Sequence, residues 1–123
     1  MEFKVLLSIL ASICIYSCET DDVTVTIYNA VEEQTNSDPG NTASMFELDL
    51  NDPYKHRIIA VSRDLYNEGY TFGTYVLILG IEEFSGVWVV EDLMNKRYEN
   101  RIDLLVNEGT DLKKWNNIKI IKL

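Results

Sequence analysis

Alternating apolar and polar positions along the chain predict short β-strands. Val23 to Tyr28 (VTVTIY) has the two-residue period of a strand with one buried face. The run 75–81 (YVLILGI) is apolar at nearly every position, so we expect it to be buried on both faces. Six short strands with little helix indicate either a small closed barrel or a β-sandwich, and closure would remove exposed strand edges. The other four predicted strands are 57–62, 86–91, 101–106 and 118–123.

The segments between the strands predict loops and one or two short helices. Residues 29–50 are mostly polar and contain the turn pattern DPGN, which predicts a long loop. One helical turn is predicted over 64–69. A second short helix is predicted over 110–116 (TDLKKWN), where Thr110 suits the N-cap position.

The N-terminus has the order of features of a secretory signal peptide. The uncharged run 5–16 (VLLSILASICIY) follows Lys4 and is too short for a membrane-spanning helix, which needs about 20 apolar residues. It ends in Ser17-Cys18, which resembles the bacterial lipobox, whose cysteine is lipidated and becomes the first residue after cleavage. The predicted signal peptide is therefore 1–17. The alternative is a buried N-terminal strand or helix with incidental cysteines.

Lipidation of Cys18 would decide where the mature chain is located and whether it can form a disulfide. Cys14 would leave with the signal, so no disulfide could form and the fold would depend on its core. Residues 18–22 would be the lipidated cysteine and a tether (ETDD), which is either a solvated linker or similar to the acidic tether of surface lipoproteins in Bacteroidetes-type bacteria. We expect an exported protein that is anchored by lipid in the bacterial envelope, in the outer membrane. The sequence leaves open whether it faces the periplasm or the cell surface.

Length and charge restrict the number of domains and the class of partner. With 123 residues the chain has room for one domain, predicted at 23–123, and a monomer is the default. Its net charge of −9 comes from 11 basic and 20 acidic residues and would repel a phosphate backbone, which argues against a nucleic-acid partner. A neutral glycan, held by hydrogen bonds and aromatic stacking, is compatible with this charge.

Carboxylates are the main candidates for chemistry. The sequence has no phosphate-binding loop, dinucleotide fingerprint or Cys/His metal pattern, so we expect no cofactor and no metal. The only histidine, His56, lies between two basic residues and is expected at the surface. A histidine-based catalytic triad is therefore hard to build.

Two aspartates lie on predicted apolar strands. In 101–106 (RIDLLV) the alternate apolar residues share one face, which leaves Asp103 on the other. In 86–92 (GVWVVED), Asp92 is predicted on the same face as Trp88 and Val90. An unpaired charge beside an apolar strand is costly. The alternative is that both carboxylates point to water at strand ends.

From Thr42 to the C-terminus, an ordered set of short stretches resembles the 3D-domain family, which is named for three aspartates. Its members are small double-psi β-barrels found in lytic transglycosylases of the MltA type and in related cell-wall proteins, and the set is also loosely similar to the RlpA-type barrel. The resemblance implies a mostly β fold, a six-stranded double-psi β-barrel with one or two short helices. The matching stretches are 42–44 (TAS), 59–61 (IAV), 72–76 (FGTYV) with Gly80, 90–92 (VED), 100–104 (NRIDL) and Trp115.

The resemblance assigns roles to individual aspartates. Asp103 matches the residue that the family uses as catalytic acid and then base, and Asp92 matches its second aspartate. The family usually has an aspartate directly after Ala-Val, where this chain has Ser62; Asp64 could replace it if the strand extends that far. The chain also departs at 93–95 (LMN), where many relatives have a small residue and two glycines.

The activity implied by the resemblance is that of a peptidoglycan lytic transglycosylase, with the glycan strand as partner. Substrate-binding candidates are Thr42 and the basic residues Lys96, Arg97 and Arg101, which would hold a peptide or lactyl carboxylate; the alternative for the basic residues is a solvated loop. The competing functions are a non-catalytic glycan-binding or envelope-organising barrel, and a surface lipoprotein that binds a protein partner. Aromatic stacking candidates, with core packing as their alternative, are Tyr28, Tyr70, Trp88 and Tyr98.

Overall fold

The computed structural model describes residues 19–30 and 40–123. The predicted signal peptide 1–17, the lipidation site Cys18 and the first half of the predicted turn at 38–41 lie outside the described residues.

The described chain is mostly β, as predicted, with six strands in one sheet and one short α-helix. The helix α1 spans Arg63–Asn67, within one residue of its predicted start, and two 3₁₀ turns lie at Pro53–His56 and Glu82–Phe84. None of the helices in the described ranges is long and apolar enough to cross a membrane. The strands are β1 Thr20–Asn29, β2 Ile58–Val61, β3 Tyr75–Ile78, β4 Gly86–Leu93, β5 Arg101–Val106 and β6 Lys114–Lys122.

The sheet closes on itself in the order β1-β5-β2-β4-β3-β6, because β6 pairs with both β3 and β1. Two of the six pairings, β1 with β5 and β2 with β4, are parallel, and the others are antiparallel. Closure leaves none of these six strands with a free edge for another chain to pair with.

Alternate residues of the strands fill the interior of the closed sheet. Ile102 and Leu104 of β5 are buried there with Val25, Ile59 and other apolar residues, as the strand period predicts. Their neighbours point outward, and a second, smaller apolar cluster forms on the outside of the sheet. This outer cluster consists of Tyr28, Ile58, Ala60, Met94 and Leu105.

The second predicted helix, over 110–116, is wrong. Residues from Lys114 onward belong to β6, where Trp115 pairs with Val25 and packs against the interior core. Leu112, three residues before Trp115, is exposed and makes no apolar stripe with it. Strand pairing along β1 therefore outweighs the local helical pattern, which rested on that spacing.

The predicted tether at 18–22 is only partly a tether, because β1 begins at Thr20. The carboxylate of Asp21 accepts a hydrogen bond from the hydroxyl of Tyr70, and Asp22 forms an ion pair with Lys119 at 3.1 Å. These acids are used in closing β1 onto β6, which sequence composition alone did not indicate.

The prediction that 75–81 is buried on both faces is also wrong. Val76 and Ile78 point into the core, whereas Tyr75 is 58% exposed and Leu79 is 42% exposed. Strand β3 therefore alternates like the others, with an apolar side chain at each outward position. Nothing in the described part of the chain covers that outer face.

Candidate functional site

Asp92 and Asp103 are brought to opposite sides of Ala60. In the sheet, β2 lies between β4 and β5, and Ala60 is the register partner of both Asp92 and Asp103. Two strand spacings place the two aspartate backbones about 10 Å apart, with one methyl group between them. Ala60 belongs to the outer cluster, so this site is on the outside of the sheet and not in its interior.

A register shift in β4 puts Asp92 on this outer face. Val90 pairs with Ile59, but the next residue of β2, Ala60, pairs with Asp92, so Glu91 is the extra residue of a β-bulge. The prediction that Asp92 shares a face with Trp88 and Val90 is therefore wrong, since both of those side chains are in the interior core. Without the bulge, Glu91 would face Ala60 in place of Asp92.

Asp92 accepts hydrogen bonds on both of its carboxylate oxygens. Its Oδ1 accepts the backbone N–H groups of Ala43, at 2.9 Å, and of Leu93, at 3.0 Å. Its Oδ2 accepts the hydroxyl of Tyr28 at 3.0 Å. Three donors therefore hold this carboxylate in one orientation.

Tyr28 is hydrogen-bonded to Asp92 and lies within the electrostatic influence of both aspartates. Its ring is buried in the outer cluster with Ala60, and its hydroxyl reaches Asp92 although β5 and β2 lie between β1 and β4. The pKa of Tyr28 is raised well above its ordinary value, first by burial and then by the charges of Asp92 and Asp103. The phenol therefore stays neutral and serves as a hydrogen-bond donor.

Asp103 is the carboxyl group that holds a proton most readily. Its pKa is raised to about 6, mainly by burial; a hydrogen bond from Thr26 and the charge of Arg101 act to lower the pKa, and the charge of Asp92 acts to raise it. The Thr26 hydroxyl is 3.0 Å from Oδ1 of Asp103. A carboxyl group with such a pKa can donate a proton near neutral pH and accept one again.

Asp64, the third predicted catalytic aspartate, does not join this pair through any described contact. Strand β2 ends at Val61, and Asp64 lies in α1, so the condition that the strand extends to it is not met. Burial acts to raise the pKa of Asp64, but hydrogen bonds from Ser62 and from the N–H of Asn100, at 2.8 Å, lower it overall. The hydrogen bond that Asp64 accepts from Asn100 stabilises the residue directly before β5.

Thr42, predicted to bind substrate, is buried in the segment that lies against the site. Its hydroxyl accepts the N–H of Phe46 at 3.1 Å and is 3.0 Å from the Ser44 hydroxyl, so it holds the turn together. Ser44 in turn donates to Glu91, the bulged residue, at 3.0 Å. The segment 42–46 is thereby fastened to β4 beside Asp92, and Ala43 completes the set of donors to Asp92.

Two of the three predicted basic residues lie together against the ring of Tyr98. The guanidinium carbons of Arg97 and Arg101 are each 4.8 Å from the ring centre of Tyr98, and Arg97 donates to the Tyr98 hydroxyl at 2.7 Å. Arg101 is close enough to Asp103 to act on its pKa. Neither arginine forms an ion pair with a carboxylate in 19–30 or 40–123, and Lys96 is exposed on the same loop.

The other candidate residues take part in the packing and hydrogen bonding of the fold. Trp88 is fully buried and donates from its indole nitrogen to the carbonyl of Phe84 at 2.8 Å, and Tyr70 is also buried in the core. His56 is half-buried and accepts the N–H of Asp49 at 3.0 Å. Across the described ranges, no cluster of histidine, cysteine and acidic residues is suited to hold a metal ion.

Sequence reasoning missed the partners that define the site. Thr26 and Tyr28 are two residues apart on β1, so the strand period predicts that they share its outward face. Only the parallel pairing with β5 sets Thr26 beside Asp103. The role of Ala60 depends on its being paired with two strands at once. The chain matches no family model, and no curated protein is significantly similar to it.

Proposed function

We propose that this protein is a lipoprotein of the bacterial envelope, exported and anchored at Cys18 in the outer membrane, that cleaves peptidoglycan as a lytic transglycosylase. Its closed sheet would be a double-psi β-barrel of the 3D type. The closure, the six strands and the two parallel pairs support that choice of barrel. The observation that carries the proposal is the pairing of Asp92 and Asp103 with the same small residue, Ala60.

The two carboxyl groups suit different steps of the reaction. Protonated Asp103 would donate its proton to the glycosidic oxygen as the bond from that oxygen to the anomeric carbon breaks. The carboxylate of Asp92, fixed by its three donors, would stabilise positive charge at the anomeric carbon. The sugar's 6-hydroxyl would then attack that carbon and give its proton to Asp103, which closes a 1,6-anhydro ring and regenerates the acid.

The polar residues around the pair support a glycan as the ligand. Arg97 and Arg101, held against Tyr98, offer guanidinium groups to a lactyl or peptide carboxylate on the sugar. They are two cations in a strongly acidic chain, and Arg101 is close enough to the proposed acid to act on its pKa. Tyr98 itself offers a half-exposed ring to a sugar face.

Digestion of purified sacculi tests the proposal directly. Incubation with the full chain should release 1,6-anhydromuramyl products, detected by mass spectrometry, and Asp103→Asn should abolish the release. Asp111→Asn, at an exposed loop position, is the matched control and should retain it. Release by wild type should fall as the pH rises above about 6, because Asp103 then loses its proton. Product release that survives Asp103→Asn would refute the assignment.

The second candidate is a non-catalytic glycan-binding barrel, and one observation favours it. Met94 of the LMN segment is packed in the outer cluster next to the aspartate pair, where many members of the resembling family have glycine. Asp64 is in α1, so the described contacts give the pair no third aspartate. Binding of the chain to sacculi without any anhydro product, in wild type and Asp103→Asn alike, would establish this alternative.

A further inference from the structure

A row of outward apolar side chains crosses β4, β3 and β6 on the outside of the sheet and ends next to the first residue of β1. Leu77 of β3 is the register partner of Val87 on one side and of Ile121 on the other. Ile121 is in turn the partner of Thr20, the first residue of β1. The row therefore leads across the sheet to a point two residues after Cys18.

Further outward apolar side chains widen this row. Tyr75 is 58% exposed and its carbonyl accepts the N–H of Leu123, which is 66% exposed. Leu79 is 42% exposed and Val87 is 45% exposed. We call the set Tyr75, Leu77, Leu79, Val87, Ile121 and Leu123 the apolar face. A contiguous patch of this kind is the usual mark of a surface that meets a membrane or another molecule.

The charged side chains next to the apolar face are of both signs. Lys119 borders the face, since its carbonyl accepts the N–H of Leu79. Its neighbouring acid, Asp22, is in an ion pair with it. Glu82 and Glu83 are in the turn that joins β3 to β4.

Most of the apolar face is on β3 and β6, whereas the aspartate pair is centred on Ala60 of β2. In the strand order, β3 is two steps from β2, and β6 is three steps from it in either direction. Val87 is the exception, because it is on β4, the strand of Asp92. A surface that met Leu77 and Ile121 would therefore be centred away from β2, with the site to one side of it.

We propose that the apolar face docks on the surface of the lipid bilayer that holds the acyl chains of Cys18, which would fix the orientation of the aspartate site relative to the membrane. The inference rests on lipidation of Cys18 and is independent of whether the site is catalytic. Cys18 and Thr20 are two positions apart in the chain, a span of at most about 7 Å. Such a short link would keep the apolar face at the bilayer surface at a high effective concentration, so weak apolar contacts suffice.

Site-specific fluorescence on the full, processed chain tests the docking. The chain is purified from a bacterium that processes lipoproteins and reconstituted in vesicles of phosphatidylcholine and phosphatidylethanolamine. Leu79→Cys on the apolar face and Glu99→Cys on the exposed β4–β5 loop each receive an environment-sensitive fluorophore. Lipidation would block Cys18, and Cys14 would have left with the signal peptide, so a single site is labelled.

Quenching by spin-labelled lipids should be several-fold stronger for the fluorophore at position 79 than at position 99. Addition of Val87→Ser to the Leu79→Cys chain should reduce that quenching, because it removes a neighbouring apolar contact while remaining at an exposed position. Equal quenching at both positions, or none at 79, would overturn the proposal, and so would intact mass spectrometry that finds no acyl chains on Cys18. Failure to release anhydromuramyl products would count only against the proposed catalytic function.

Discussion

The hydroxyl of Tyr28 donates a hydrogen bond to the carboxylate of Asp92 across 3.0 Å, although two strands lie between them in the sheet. The ring can lie over those strands because Ala60, beneath it in the outer cluster, has only a methyl side chain. One phenol thus connects the first strand of the domain to the aspartate pair.

Removal of the Tyr28 hydroxyl should destabilise the fold. We expect Tyr28→Phe to lower the free energy of unfolding at neutral pH by about 1–3 kcal/mol, the range for a hydrogen bond to a charged group. Urea unfolding followed by circular dichroism measures this. Tyr66→Phe is the matched control, since the Tyr66 hydroxyl has no hydrogen-bond partner among the described residues. Equal losses in the two variants would show that the Asp92 contact contributes nothing.

The raised pKa of Asp103 should make the stability of the protein depend on pH. The folded pKa of about 6 lies above the ordinary value of 3.8, so the folded state binds the extra proton, and stability falls as the pH rises from about 4 through about 6. Asp103→Asn removes this loss. We expect the variant to be more stable than wild type by on the order of 2 kcal/mol at about pH 8, and equal to it at about pH 4.

Urea unfolding at both pH values measures the difference, with Asp111→Asn as the exposed control. A stability gain that is the same at both pH values would contradict the assignment of the raised pKa to Asp103.

Asp64 should behave as a structural acid with the opposite pH dependence. Its lowered pKa means that its contribution to stability is present above the ordinary aspartate pKa and is lost as the pH falls through the folded value. We expect Asp64→Ala to cost about 1–2 kcal/mol at neutral pH, because the N–H of Asn100 loses its acceptor. The cost should shrink in acid. A pH-independent cost in denaturant titrations would rule out the charge of Asp64 as its source.

Arg57 should be a main stabilising residue at the start of β2. Its guanidinium is 4.0 Å from the ring centre of Trp88, and it donates to the Tyr54 hydroxyl at 2.8 Å and to the carbonyl of Ser85 at 3.1 Å. We expect Arg57→Met to lower the free energy of unfolding by about 2 kcal/mol, because the acceptors lose their donors.

Thermal unfolding measures this loss, and Arg63→Met, at an exposed helix position, is the matched control. A melting temperature that falls equally in the two variants would show that the contacts of Arg57 add nothing beyond a surface arginine.

The two aspartates of the candidate site were predictable to different degrees. Asp103 was assigned to the correct face, because β5 alternates without interruption. Asp92 was assigned to the wrong face, because the bulge at Glu91 shifts the register by one residue and a binary pattern does not reveal an inserted residue. Asp64 was predicted on an extension of β2, but β2 ends before it, because Ser62 begins the turn into α1.

The sequence by itself determined that the chain forms six strands, because alternation of apolar and polar residues is a local property of each segment, but it did not determine where β1 and β6 begin. It also determined that carboxylates, rather than histidines or thiols, dominate the candidate chemistry. Only the tertiary structure decided that β2 lies between β4 and β5, which sets Asp92 and Asp103 on either side of Ala60. That order depends on pairings between residues tens of positions apart, and these are decided by the packing of the whole closed sheet and by the position of one bulge.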